Sequence, residues 1–286
     1  MEIAMDINPV IEYWPNGNKQ REQWFFDNQY HRVDGPADIL YYESGQVQRE
    51  EWLFDSRLHR EDGPADIWYY ESGQEEKENW YINDGLHRVD GPADICFYTS
   101  GKKQREIWYL HGLRNKVDGP AAILYYVSGK KQRELWYLND NNHRIDGPAD
   151  ILYYESGKVD RECWYFDDIF HRVDGPALIS YYKSGKIKEE DWYLNGLRNK
   201  VDGPASIWYY ETGKAERKTW CLDGSVHRVD GPADIWYYKS GKIKEEGWYL
   251  NGKESTHKEW LIANNLYKPY TTWTDEGKVL WKLTWT

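Results

Sequence analysis

Cysteine is scarce in this chain: Cys96, Cys163 and Cys221 are three in 286 residues. The number is odd, and each cysteine replaces another residue type at its place in a repeating pattern. That argues against a disulfide framework and against a zinc site, and it fits a reducing compartment. Basic excess is also missing. The formal net charge of −11 disfavours non-specific binding to nucleic acid, and it disfavours contact with an anionic membrane surface. No apolar run nears the ~20 residues of a membrane helix, and the opening Met-Glu-Ile-Ala-Met-Asp lacks the basic and apolar regions of a secretion signal. The expectation is an intracellular protein, not secreted, with no transmembrane segment. Within the repeating units there is no helical 3.6-residue period either. Aromatics are what the chain has in excess, with 17 Trp and 25 Tyr.

Those aromatics fall on a fixed beat. Asp-Gly-Pro-Ala begins at Asp34, Asp62, Asp90, Asp118, Asp146, Asp174, Asp202 and Asp230, each step being 28 residues. Trp24, Trp52, Trp80, Trp108, Trp136, Trp164, Trp192, Trp220 and Trp248 keep the same interval. An unbroken period marks a repeat array rather than two globular domains. We assign 1–10 as an N-terminal extension, 11–252 as tandem 28-residue repeats and 253–286 as a C-terminal cap. The pattern breaks where Lys258 to Trp260 replace Asp-Gly-Pro, and a degenerate hairpin is expected around Asp275-Glu276-Gly277-Lys278.

Within a unit, Ala37 to Tyr42 suits a strand, Ser44-Gly45 a hairpin turn, and Gln48 to Phe54 the return strand. Glycine holds the turn position in all nine copies from Gly17 to Gly241, as a left-handed backbone requires. Proline of Asp-Gly-Pro ends one strand and starts the next. Alternation places Ala37, Ile39 and Tyr41 on one side, with Asp38, position 40 and Tyr42 on the other. A two-residue turn pairs Ala37 with Trp52 and Ile39 with Glu50, and a bulged turn would shift that register. The fold class expected is all-β: an elongated antiparallel meander or solenoid of about nine hairpin repeats, its Ile–Trp face buried. A parallel β-helix is the structural alternative. A propeller fits less well, since a blade takes about 40 residues or more.

The string Tyr-Tyr-x-Ser-Gly-Lys-x-x-x-Glu-x-Trp-Tyr-x-Asn-Gly, as in Tyr181 to Gly196, resembles the MORN-type repeat, particularly its variant form. The resemblance covers about residues 11–252. The unit is longer than the usual MORN repeat and adds His-Arg-x-Asp-Gly-Pro-Ala, a flavour similar to repeat proteins of giant DNA viruses of amoebae. The resemblance implies an elongated antiparallel sheet, protein–protein or membrane-proximal scaffolding, and frequent dimerisation. Phosphoinositide binding, suggested for some MORN proteins, sits poorly with the net charge of −11.

Several residue pairs combine a possible chemistry with a structural role. His59/Asp62, His87/Asp90 and His143/Asp146 have the spacing of metal ligands or of a base with its orienter. Asn115 and Asn199 replace the histidine in two repeats, and asparagine cannot titrate, so local hydrogen bonding in a turn is expected. One Asp per unit is too thin for calcium, and an Asx-turn or N–H cap is expected of it. Nearly every polar residue has equivalents 28 residues away, whereas catalysis needs one unique constellation. The off-column histidines are His111 and His257. Runs such as Lys102-Lys-Gln-Arg-Glu and Lys186-Ile-Lys-Glu-Glu mix signs as solvated strand faces do. No enzyme activity, catalytic residue, metal or cofactor is expected.

The binding candidate is the stripe Tyr42, Tyr70, Tyr98, Tyr126, Tyr154, Tyr182, Tyr210 and Tyr238, provided that the sheet leaves it open. The function expected is a non-enzymatic repeat scaffold for protein–protein interaction or self-assembly, a viral structural or host-interaction protein in flavour. Its partner would be a protein or a second copy in a homodimer, in host cytoplasm or virion. Free strand edges such as Tyr270 to Thr286 would serve edge-to-edge pairing. The alternative is a ligand-binding module for carbohydrate or a phosphorylated head group along the Tyr stripe. A cleft whose residues lack equivalents 28 residues away would instead favour a hydrolase.

Overall fold

The computed structural model describes residues 9–264. The hairpin expected at 275–278 and the strand edges expected at 270–286 lie outside them. The chain divides into two compact units, Met1–Ile169 and Phe170–Thr286, and both are antiparallel meanders built from the same repeat.

In the first unit a typical repeat opens with Asp38–Tyr41, turns, and returns along Val47–Glu51. The pairing Ile39↔Glu50 agrees with the expected register, and the ladder runs on to Asp38↔Glu51. The turn is wider than two residues: Tyr42 donates its N–H to the Gln46 carbonyl and Gly45 donates to the Tyr42 carbonyl. Gly45 stands at φ +91°, where a Cβ is strained, and a bulge after Leu40 restores the register. The return strand then pairs with the first strand of the next repeat, Arg49↔Trp68 and Glu50↔Ile67. The link between them folds into its own short ladder, Leu53–Phe54 against Arg57–Leu58. Asp55 and Ser56 turn this ladder at φ +49° and +62°, a left-handed pair that Asp, Asn, Ser and Gly tolerate best. The second unit repeats the arrangement, for example Ser206–Tyr209, Ala215–Thr219, Cys221–Leu222 and Ser225–Val226.

The buried interior is thinner than the aromatic content suggests. Alanines of Asp-Gly-Pro-Ala, among them Ala37, Ala65, Ala93, Ala121 and Ala149, are 0 % exposed, and Ile39, Ile67, Ile95, Ile123 and Ile151 are buried beside them. The column tryptophans are only half-buried. The opposite side is buried too, but by charge. Asp38, Asp66 and Asp150 are buried, with Arg21 at 2.5–2.9 Å from Asp38, Arg49 at 2.7 Å from Asp66 and Arg133 at 2.8 Å from Asp150. In the first unit Ala122 replaces this aspartate in one repeat. Arg105 there turns back across its own hairpin to Asp94 at 3.1 Å, and Ala122 joins an apolar cluster with Ala121, Leu135 and Tyr137. Desolvation of the carboxylates offsets much of the attraction in ion pairs of this kind.

The second unit carries the helix that periodicity did not signal, His257–Ala263. Its start is written in the sequence as a capping box: Glu259 N–H donates to Thr256 Oγ1 at 3.2 Å, and Thr256 N–H donates to the Glu259 carboxylate at 2.8 Å. Trp260 is buried, donates its indole N–H to the Arg228 carbonyl at 2.9 Å, and meets the Trp248 ring edge-on at 4.7 Å. His257 stacks on Trp248 at 4.2 Å.

Candidate interaction surfaces

The His-Arg-x-Asp-Gly-Pro loop is held by its arginine. Arg32, Arg60, Arg88, Arg144 and Arg228 lie over Trp24, Trp52, Trp80, Trp136 and Trp220, 3.7–4.2 Å from the ring centroids. Each Nε–H also donates to the carboxylate two residues on, at 2.7–2.9 Å: Asp34, Asp62, Asp90, Asp146 and Asp230. The glycine leaves room for the side chain. A Cβ on Gly63 would lie 2.5 Å from Arg60 Cζ, so glycine is needed there for close approach. Where lysine replaces arginine, Lys116 and Lys200 sit 3.7 and 3.5 Å from the Trp108 and Trp192 ring centroids. Gly119 and Gly203 then adopt φ +136° and +126° instead. Where the loop carries arginine, its aspartate therefore accepts from the guanidinium, a partner that the expected Asx-turn or N–H cap did not include. Hydrogen bonding to arginine holds the carboxyls of Asp34, Asp62, Asp90 and Asp146 below the usual carboxylate range.

The histidines do not meet the aspartates three residues on. His31 Nδ1 lies 2.9 Å from Asp55 and His143 Nδ1 2.8 Å from Asp167, each a left-handed turn residue of the following repeat. His59 meets Asn83 at 3.0 Å, and where asparagine replaces histidine Asn115 donates to Asn139 at 2.9 Å. The swap between His and Asn is explained by hydrogen bonding, but between repeats rather than locally. Among the described residues no group of three or more His, Cys, Asp or Glu is placed to hold a metal ion. The cysteines are buried thiols; burial pushes Cys96 up to about 11 and Cys163 up to about 12.

The Tyr stripe is a ladder between repeats. Tyr42, Tyr70, Tyr98 and Tyr126 in the first unit are half-buried, and their hydroxyls donate at 2.7–2.9 Å to the carbonyls of Tyr69, Phe97, Tyr125 and Tyr153. Tyr182 and Tyr210 in the second unit do the same to Tyr209 and Tyr237 at 2.6 and 2.7 Å. Tyr154 is half-buried, and burial, with Asp160 beside it, raises its hydroxyl to about 12. Tyr238 stands exposed at 52 %.

A second tyrosine column faces the buried side. Tyr41, Tyr69, Tyr125 and Tyr153 donate to Glu22, Glu50, Glu106 and Glu134, and burial raises each of these hydroxyls. Lys19, Lys103 and Lys131 pair with three of those glutamates, so part of the mixed-sign runs is engaged rather than solvated. One repeat departs at both positions: Phe97 stands where the tyrosine would be and Glu75 where the lysine would be. Glu78, left between them, is raised to about 7, by burial first and then by Glu75.

Two features escaped the sequence reading. The x of His-Arg-x-Asp is exposed and β-branched in seven of eight copies, Glu61 being the exception. Beside Val89 lies a cleft of about 580 Å³, lined by Arg60, Glu61, Trp80, His87 and His111 among others. His111 N–H donates to His87 Nδ1 at 3.1 Å, and the two rings lie 4.6 Å apart. Glu61 and His111 do break the 28-residue pattern, but the residues lining the cleft include no serine, threonine or cysteine nucleophile. The outlying Glu61 and His111 were legible as departures from their columns; their convergence was not.

Among the described residues no helix is long and apolar enough to cross a membrane. No family model matches the chain, and no curated protein matches it. Solved structures give weak likenesses. One is TcdB2-TccC3-TEV, at 13% identity and a TM-score of 0.15, over 94% of this chain; the chain spans 14% of that one. Another is the Photorhabdus luminescens Tc holotoxin pore, at 13% identity and a TM-score of 0.17, over 85% of this chain and 13% of that one. A third is choline binding protein F from Streptococcus pneumoniae, at 13% identity and a TM-score of 0.14, over 86% of this chain and 98% of that one. Likenesses at these TM-scores carry no argument about function.

Proposed function

We propose that this chain is a non-enzymatic repeat scaffold of MORN type, mediating protein–protein interaction or self-assembly. Its finer attributes in this reading are homodimer formation, a place in host cytoplasm or virion, and a role as a viral structural or host-interaction protein. The observation that supports it is the use of the repeated polar groups. Tyrosine hydroxyls bond the next repeat's backbone, histidines bond the next repeat's turn, and loop aspartates bond arginine. Groups engaged in this way build a frame rather than a reaction centre, and they leave apolar side chains facing out. Ligand binding along the Tyr stripe is the weaker reading, because those hydroxyls already have an acceptor.

The test is light scattering over a concentration series, combined with affinity capture from a host-cell lysate. The reading expects reversible self-association or a stoichiometric protein partner. A chain that stays monomeric, captures nothing and turns over a substrate in a hydrolase panel overturns it.

A further inference from the structure

The loop position x of His-Arg-x-Asp carries a pattern that the fold does not explain. In the first unit Val33, Val89, Val117 and Ile145 are 80, 83, 88 and 86 % exposed. They sit in bends, where Gly, Asn, Asp and Ser serve the backbone better than β-branched side chains. At such exposure they pack against nothing among the described residues that would retain them. Single exposed apolar residues need no explanation, but a row of them at this exposure offers an apolar edge to a partner.

Charge lies along the same row. Asp34, Asp90 and Asp146 follow Val33, Val89 and Ile145 directly and are exposed. Arg32, Arg88 and Arg144 hold them by a single Nε–H contact to one carboxylate oxygen at 2.8–2.9 Å. Their depressed pKa keeps them anionic at every physiological pH. The cleft beside Val89 adds the carboxylate of Glu61.

Pitch narrows the occupant. Each repeat adds two strands to the sheet, so successive loops are spaced by about 9.6 Å at about 4.8 Å per strand. An extended polyproline-like chain advances about 9.3 Å in three residues and returns every third side chain to the same face. An α-helix covers the loop spacing in about 6.4 residues and drifts out of step with the row.

We propose that Val33, Val89, Val117 and Ile145, with their flanking carboxylates, form a docking edge for an extended basic protein segment that carries an apolar side chain at every third residue. The inference rests on the scaffold reading and gives it a surface and a partner chemistry. Glu61 interrupts the row and sets register, since a basic residue of the segment faces it in place of an apolar one.

The probe is a fluorescein-labelled peptide (Val-Pro-Lys)6, with a scrambled peptide of the same composition and an amphipathic helical peptide of the same charge as controls. Anisotropy is measured with the full chain. The periodic peptide is expected to bind at least about tenfold more tightly than either control, and more weakly at high salt. The triple variant Val89→Ser/Val117→Ser/Ile145→Ser, with unchanged far-UV circular dichroism, is expected to lose about tenfold. Glu61→Val is expected to gain affinity by completing the row, a result that misfolding cannot imitate. Equal binding of a control peptide, full binding by the triple variant, or no binding at about 1 mM overturns the proposal. The scaffold reading is judged separately. If the triple variant still captures the wild-type protein's partner or self-associates as wild type does, the docking edge is wrong and the scaffold stands.

Discussion

The Arg60 guanidinium lies 3.7 Å from the centroid of the Trp52 ring, and a Cβ on Gly63 would come within 2.5 Å of its Cζ. This close fit explains why the loop repeats as a block. The ring supplies a cation site, Asp62 orients the guanidinium, and the missing Cβ of Gly63 leaves room for it.

Gly63→Ala is therefore expected to destabilise the chain by about 1–2 kcal/mol, by expelling Arg60 from its slot. In an Arg60→Ala background the same substitution should cost less, because nothing occupies the slot. Urea denaturation of the four chains of this double-mutant cycle measures the coupling, and strictly additive losses would refute the close approach.

Phe97→Tyr is expected to stabilise the chain near neutral pH. It supplies Glu78 with the hydroxyl that Tyr125 gives to Glu106 at 2.5 Å. Glu78 has its folded pKa raised from 4.5 to about 7, so the fold favours its neutral form. Its contribution is complete below pH 4.5 and is lost as pH rises towards 7. Glu78→Gln should gain on wild type across that same window, by about 1 kcal/mol once screening of this half-buried group is allowed for. Paired thermal melts at about pH 4 and pH 8 check the sign, and a gain confined to acid would contradict it.

Tyr126→Phe removes the donor to the Tyr153 carbonyl at 2.7 Å and should cost about 1 kcal/mol. Tyr238→Phe, at the exposed end of the stripe, should cost less. If both substitutions prove neutral in urea titrations, the hydroxyl ladder does not hold the repeats.

Trp260→Ala should cost about 3–5 kcal/mol, since Trp260 is buried and meets the Trp248 ring edge-on. Thr256→Ala, which removes only the cap, should cost about 1 kcal/mol. Hydrogen exchange of the 257–263 amides separates the two: the cap variant frays the helix while Trp248 stays covered.

At low pH the loop carboxylates give a further expectation. Hydrogen bonding to arginine lowers the folded pKa of Asp34, Asp62 and Asp90, so their contribution is present above the unfolded value of 3.8 and is lost as pH falls below it. Nuclear magnetic resonance titration of the Asp62 carboxyl against that of an Arg60→Ala variant reads this directly. A midpoint that does not rise in the variant would refute the pairing.

The sequence by itself determined what depends on neighbours along the chain. The 28-residue beat, the turn glycines, the antiparallel hairpins and the pairing of Ile39 with Glu50 follow from period-two alternation and from local backbone preferences. The capping box Thr256-His-Lys-Glu was legible as well, outside the repeat pattern. Only the tertiary structure decided how the columns meet. A histidine reaches a turn residue 24 positions on, a tyrosine hydroxyl reaches a carbonyl 27 positions on, and Arg21 reaches Asp38 across adjacent hairpins. Those distances depend on how one repeat stacks on the next, which alternation within a strand does not encode. For the same reason the half-buried tryptophans, the engaged Tyr stripe and the exposed valine row could not be read from residue type. Burial is set by what a neighbouring repeat places above each column.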